Sequence, residues 1–180
     1  MISIWQKWFG SGAKPEVKPF VLVGDEAELP DEVYVALAEL YNSNNALGGE
    51  SIGTLAEVTM SRVAVFHRCF LNGAFGATLV SFADALPEII DAYNELSLNL
   101  FSKTIEEANA QARAAIEQGV SSNDIEHWYA LFEEAGRRYS DLTYGGKSED
   151  AEADKLEQAL VRLIRLEPEA YRNVLLEAGK

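Results

Sequence analysis

The side chains in this 180-residue chain best suited to nucleophilic or metal chemistry are two histidines and one cysteine. His67 and Cys69 stand two apart in a helical stretch. They therefore point to different sides and cannot chelate one ion. Asp124 and His127 have the spacing of a helical metal pair. A di-metal site in a helix bundle wants two Glu-x-x-His motifs plus two further glutamates, and one imperfect version is present here. The plainer reading is an exposed acid in a first helical turn beside a solvated histidine. Cys69 lies in an apolar run with Phe66 and Phe70, which reads as a buried, inert thiol rather than a nucleophile. No G-x-S-x-G, Walker A or G-x-G-x-x-G pattern occurs. With 29 acids in the chain, no pair stands out as a glycosidase-type acid and base. The expectation is no catalytic residue, no cofactor and no metal, against the rival of an enzyme with a pocket holding His67 or His127 beside carboxylates.

Carboxylates are the chemistry this chain has in quantity. Asp and Glu total 29 against 15 Lys and Arg, a formal charge of −14. Such a chain repels nucleic acid and anionic membrane, and attracts basic proteins. Residues 19–61 hold eight acids and no lysine or arginine: Asp25, Glu26, Glu28, Asp31, Glu32, Glu39, Glu50 and Glu57. Residues 69–102 also lack a base and include Asp84, Glu88, Asp91 and Glu95. Spacings of four, three and four put those acids on one face of a helix, climbing about 6, 4.5 and 6 Å. Like charges so placed cost a few tenths of a kcal/mol per pair. A helix with only a structural duty gains from mixed signs, as residues 149–165 show with Lys155, Arg162 and Arg165. The plain reading is a solvated face opposite Ile89, Ile90 and Tyr93. The functional reading is a surface that imitates duplex phosphates. One duplex turn of about 34 Å presents roughly 20 charges. A compact chain of this size, with a radius of gyration of about 16 Å, is about one turn long.

Placing these acids takes helices. Apolar residues recur at three and four from Pro30 onward: Val33, Leu37, Leu40 and Tyr41, then a loop at Asn42–Asn45 and Gly48-Gly49. Leu55, Val58, Arg62, Val63, Phe66, Cys69 and Phe70 make a second helix, stopped by Asn72-Gly73. A short helix spans about 76–83, and another opens near Ala85 with Pro87 in its first turn. A long one covers about 97–118 and closes at Gly119. Asn123 or Ser122 caps the next, which buries Ile125, Trp128, Leu131, Phe132, Ala135 and Tyr139 and ends at Gly145-Gly146. Residues 149–166 and a segment from Pro168 supply the last two. Val17–Val23 is the best strand candidate, weakened by Pro19. The expected fold is all-α, seven or eight helices in one bundle-like domain over residues 25–180. Residues 1–24 read as an aromatic segment with Trp5, Trp8 and Phe9, followed by a flexible Gly-rich linker. That segment leaves a homodimer open and predicts at most weak membrane contact. A chain this size needs no disulfide to stay folded. A single cysteine, with no secretory signal and no membrane-length apolar run, reads as cytoplasmic.

Phe70-Leu71-Asn72-Gly73-Ala74-Phe75-Gly76 resembles the asparagine-glycine-glycine-phenylalanine signature of a family of small acidic bacterial proteins, with Ala74 in place of the second glycine. Ala85-Leu86-Pro87 through Glu107-Ala108 resembles the next two helices of that family. Arg137-Arg138-Tyr139 with Gly145-Gly146, and Leu156 to Tyr171 with Glu167-Pro168-Glu169, resemble its later segments. The likeness spans about 30–175. That family is all-helical and largely of unknown function. Its best-described member is a DNA mimic that binds a helix-turn-helix-type transcription regulator. The resemblance implies a non-enzymatic protein that binds a basic DNA-binding partner through its acids, without binding nucleic acid itself. Asp84, Glu88, Asp91 and Glu95 are the candidate contact residues. The rivals are an immunity- or antitoxin-like module against a basic protein, and a domain whose charge serves solubility alone.

Overall fold

The computed structural model describes residues 18–22, 29–46, 52–121, 124–144 and 156–180. Among the described residues, eight α-helices and two 3₁₀ turns make up the regular structure, and no strand occurs. The helices are α1 (Asp31–Ala46), α2 (Leu55–Asn72), α3 (Phe75–Ser81), α4 (Leu86–Glu95), α5 (Asn99–Glu117), α6 (Ile125–Tyr144), α7 (Leu156–Leu166) and α8 (Arg172–Ala178). The 3₁₀ turns, Ala83–Ala85 and Pro168–Tyr171, lead directly into α4 and α8. The all-α expectation holds. No described helix is long and apolar enough to cross a membrane.

α2 is the axis of the fold: α1, α3 and α4 all pack on it, α5 bridges α4 to α6, and α8 lies against α1. Its start is specified locally. The Thr54 hydroxyl accepts the Glu57 amide, and the Glu57 carboxylate accepts the Thr54 amide, a reciprocal capping box. Asp124 Oδ1 accepts the His127 amide at 3.1 Å, so this acid caps the start of α6. Gly119 closes α5 at φ +85°, a conformation that favours glycine. Tyr139 of α6 stands at the centre of the core, with ring centroids 4.6 Å from Phe70, 5.1 Å from Phe101 and 5.3 Å from Phe75.

Several boundaries and burials differ from expectation. α1 runs on through Asn42–Asn45. Asn44 faces the chain that returns to α2 and holds Ile52 at both its amide (2.6 Å) and its carbonyl (3.3 Å). Asn44, expected in a loop, instead holds Ile52 from within the helix. Cys69, expected to be buried, is exposed, and Leu55 is 74% exposed. Residues 55, 62 and 69 repeat at seven, one rail at the edge of the buried face. The buried side runs instead through Met60, Val63 and His67. Residues 18–22 form no strand, and the Phe20 amide donates to the Leu175 carbonyl at 2.7 Å. The last segment begins as a 3₁₀ turn before α8. Trp5, Trp8, Phe9 and the linker through Val17, the caps Ser122 and Asn123, Gly48-Gly49, Gly145-Gly146 and residues 149–155 lie outside the described residues.

Candidate functional site

α4 buries Leu86, Ile89, Ala92 and Tyr93 against the core. Three- and four-residue steps then leave Glu88, Asp91 and Glu95 on the outer side, and all three are exposed. Asp84 is exposed as well, but it does not share their helix. It sits on the 3₁₀ turn Ala83–Ala85, two residues before α4 begins. That turn has a tighter winding than an α-helix, so the regular four-residue step assumed from the sequence does not extend back to Asp84. Among the described residues no lysine or arginine pairs with any of the four. Glu95 Oε2 accepts the Thr59 hydroxyl of α2 at 2.6 Å, which tethers the end of the row.

The other base-free stretch contributes less surface charge than its count suggests. Asp31 is paired with Arg68 at 2.9 Å. Glu57 is fully buried. Its Oε1 accepts the Val174 amide at 2.9 Å, and its Oε2 accepts the Thr54 amide at 2.8 Å and Asn173 Nδ2 at 3.0 Å. It is a clamp between α2 and α8. The sequence reading counted it only among the eight acids of the base-free stretch, although the Thr-x-x-Glu pattern before an apolar run signals a cap. Glu32 and Glu39 stay exposed on α1. Asp25, Glu26, Glu28 and Glu50 lie outside the described residues.

His67 is buried, 2% exposed, with Nδ1 3.3 Å from the Tyr139 hydroxyl. That hydroxyl lies 2.5 Å from the hydroxyl of Tyr93. Burial, helped by the neighbouring Arg68 charge, lowers the His67 pKa to about 4, so the ring is neutral at pH 7. Burial likewise raises Tyr93 and Tyr139, which stay protonated. Desolvation also pushes the Cys69 thiol up, away from the reactive thiolate. His127 is exposed. Among the described residues no three of His, Cys, Asp and Glu gather as a metal site.

A groove of about 930 Å³ opens between α3 and α6, a feature that the sequence reading missed. Its walls are Phe70, Ala77 and Val80 on one side and Trp128, Tyr129 and Phe132 on the other. Neither histidine lines it. The two helices approach closely because each offers a glycine to the other's phenylalanine. A Cβ on Gly76 would stand 2.6 Å from Phe132, and one on Gly136 would stand 3.1 Å from Phe75. The signature-like segment Asn72–Gly76 thus serves packing: Gly73 ends α2, Phe75 enters the core and Gly76 admits Phe132. The spacing of Trp128, Phe132, Gly136 and Ser140 on one rail of α6 was the available sequence signal.

No family model, curated protein or solved structure matches the chain.

Proposed function

We propose that the protein is a non-enzymatic acidic binding protein that places Asp84, Glu88, Asp91 and Glu95 against the DNA-binding surface of a basic partner, such as a transcription regulator. The observation that supports this is the row itself: four exposed carboxylates on consecutive turns, with no pairing cation among the described residues. Uncompensated charge of this kind favours lysine- and arginine-rich surfaces and accelerates association at low salt. The motif resemblance adds to the reading, and a fold alone would not name the partner.

The test is capture of a partner from native cytosol, eluted by salt and repeated with excess duplex DNA. The expected result is a DNA-binding protein that duplex DNA displaces and that the variant Asp84→Lys, Glu88→Lys, Asp91→Lys, Glu95→Lys no longer captures. Full retention by this variant, with unchanged helicity, removes the row from the function. A partner indifferent to duplex DNA replaces mimicry with the immunity-type reading.

A further inference from the structure

The groove between α3 and α6 has an open, apolar form. Val80 is 71% exposed and Tyr129 67% exposed at its lips, while Trp128 and Phe132 stack along it at 5.9 Å. Large uncovered side chains set around an aromatic floor mark a binding surface. From Trp128 to Ser140 the α6 wall rises about 18 Å, at about 1.5 Å per residue. That is the length of about twelve residues of helix.

Two of the polar side chains at the groove are already committed within the chain and are not free to hold a small ligand by directed hydrogen bonds. The Ser81 hydroxyl already donates to the Ala77 carbonyl, and Trp128 Nε1 to the Ser121 carbonyl. Charge specifies the occupant further. Among the described residues Glu133 is the one charged residue of the lining, and no base lines it. The α3 wall leads at Ser81 into the turn that carries Asp84, inside the base-free stretch 69–102.

We propose that this groove docks an amphipathic helix of a partner protein, with apolar side chains at i, i+3 or i+4, and i+7 seated between α3 and α6. A lysine or arginine flanking that stripe meets Glu133. This is helix-in-groove recognition. It rests on the acidic-binding reading for the sign of the partner's charge, and on the groove for everything else.

The probe is a fourteen-residue Leu/Lys peptide patterned as an amphipathic helix, beside a scrambled peptide of the same composition. The protein is the full chain with Trp5→Phe and Trp8→Phe, which leaves Trp128 as its one fluorophore of that type. Saturable change in Trp128 emission is expected, at least tenfold weaker with the scrambled peptide. Val80→Glu with Tyr129→Glu should weaken binding at least tenfold with unchanged circular dichroism, and the milder Tyr129→Ser should weaken it in part. Equal affinity of the two peptides, or of the two proteins, overturns the proposal. So does tighter peptide binding when Trp5, Trp8 and Phe9 are changed to alanine, because the chain's own aromatic segment is then the occupant. A dimer that Val80→Glu with Tyr129→Glu splits into monomers, without peptide binding, assigns the groove to a second copy and overturns it too. The four-lysine variant separates the two ideas. Loss confined to the groove variant keeps the groove and removes the acidic row; loss confined to the four-lysine variant does the reverse.

Discussion

Glu57 lies on α2 and Glu95 is bonded to it, yet they belong to different kinds of region. At the joint between α2 and α8, the Glu57 carboxylate is buried and meets three donors. Thr54, on the same joint, donates its hydroxyl to the Ala170 carbonyl at 2.6 Å. On the outer side of α3, α4 and α6, Glu95 touches one hydroxyl, Glu88 and Asp91 face water, and Val80 and Tyr129 are uncovered. Most buried polar groups in folded proteins are hydrogen-bonded, because an unmet one costs free energy. A surface that leaves charge unpaired and aromatics uncovered gains nothing for the fold from either. The contrast separates acids that hold the chain together from acids that are free to meet something else.

The largest break in that contrast should come from Glu57→Ala. It strands the buried Val174 amide and the Thr54 amide and removes the side-chain half of the capping box of α2. Unfolding in urea should show a loss of about 2–5 kcal/mol. Glu57→Gln keeps one acceptor oxygen and should lose less. A loss below about 1 kcal/mol for the alanine variant would place Glu57 with the surface acids.

His67 sharpens the same contrast through pH. Its pKa is about 4 in the folded protein and 6.5 as an ordinary histidine. The unfolded chain therefore binds a proton first, and folding is opposed as pH falls. The contribution is intact above about 6.5, declines from there to about 4, and totals roughly 3 kcal/mol. Stability of the protein and of His67→Gln, compared between pH 7.5 and 4.5, isolates this one group from the carboxylates. Parallel curves would show that the ring does not titrate differently on folding.

Gly76→Ala comes next. The added methyl meets Phe132 at 2.6 Å, so α3 must move off α6 or the ring must turn, at a cost of about 1–3 kcal/mol. Gly73→Ala is the control, because its Cβ would find only the Cys69 carbonyl at 3.4 Å. A thermal melt that ranks the two equally would mean that the glycines do not set the closeness of α3 and α6.

Periodicity gave most of the helices because burial of a stripe is a local, repeating demand. Val58, Val63 and Phe66 on α2, and Leu86, Ile89 and Tyr93 on α4, fall on the core side as their spacing requires. It failed where a side chain's fate depends on a distant partner. Asn44 reads as a breaker until Ile52 folds back onto it, and Glu57 reads as surface charge until Val174 reaches it. Cys69 misled because the face of a helix shifts with each turn, and a stripe counted loosely at three and four gathers residues from its edge. The acidic row was legible in α4 and not in Asp84, since a 3₁₀ turn breaks the register that the spacing assumes. The groove needed both walls, and these come from segments about fifty residues apart in sequence.

The smallest effect discriminates most. Asp91 lies three residues after Glu88 and four before Glu95 on α4, so Asp91→Lys turns two repulsive neighbours into attractive ones. Each reversal is worth a few tenths of a kcal/mol, and lysine is also the better helix former. The variant should therefore be more stable by about 0.5–1.5 kcal/mol at low salt, with the charge-dependent part screened away in 0.5 M NaCl. It should also bind the basic partner less tightly. Stability gained as binding is lost would mean that the row is kept against the interest of the fold, as expected of a working surface. Destabilisation at low salt would mean that Asp91 supports α4 itself, and the division between holding acids and meeting acids would then run through the row rather than around it.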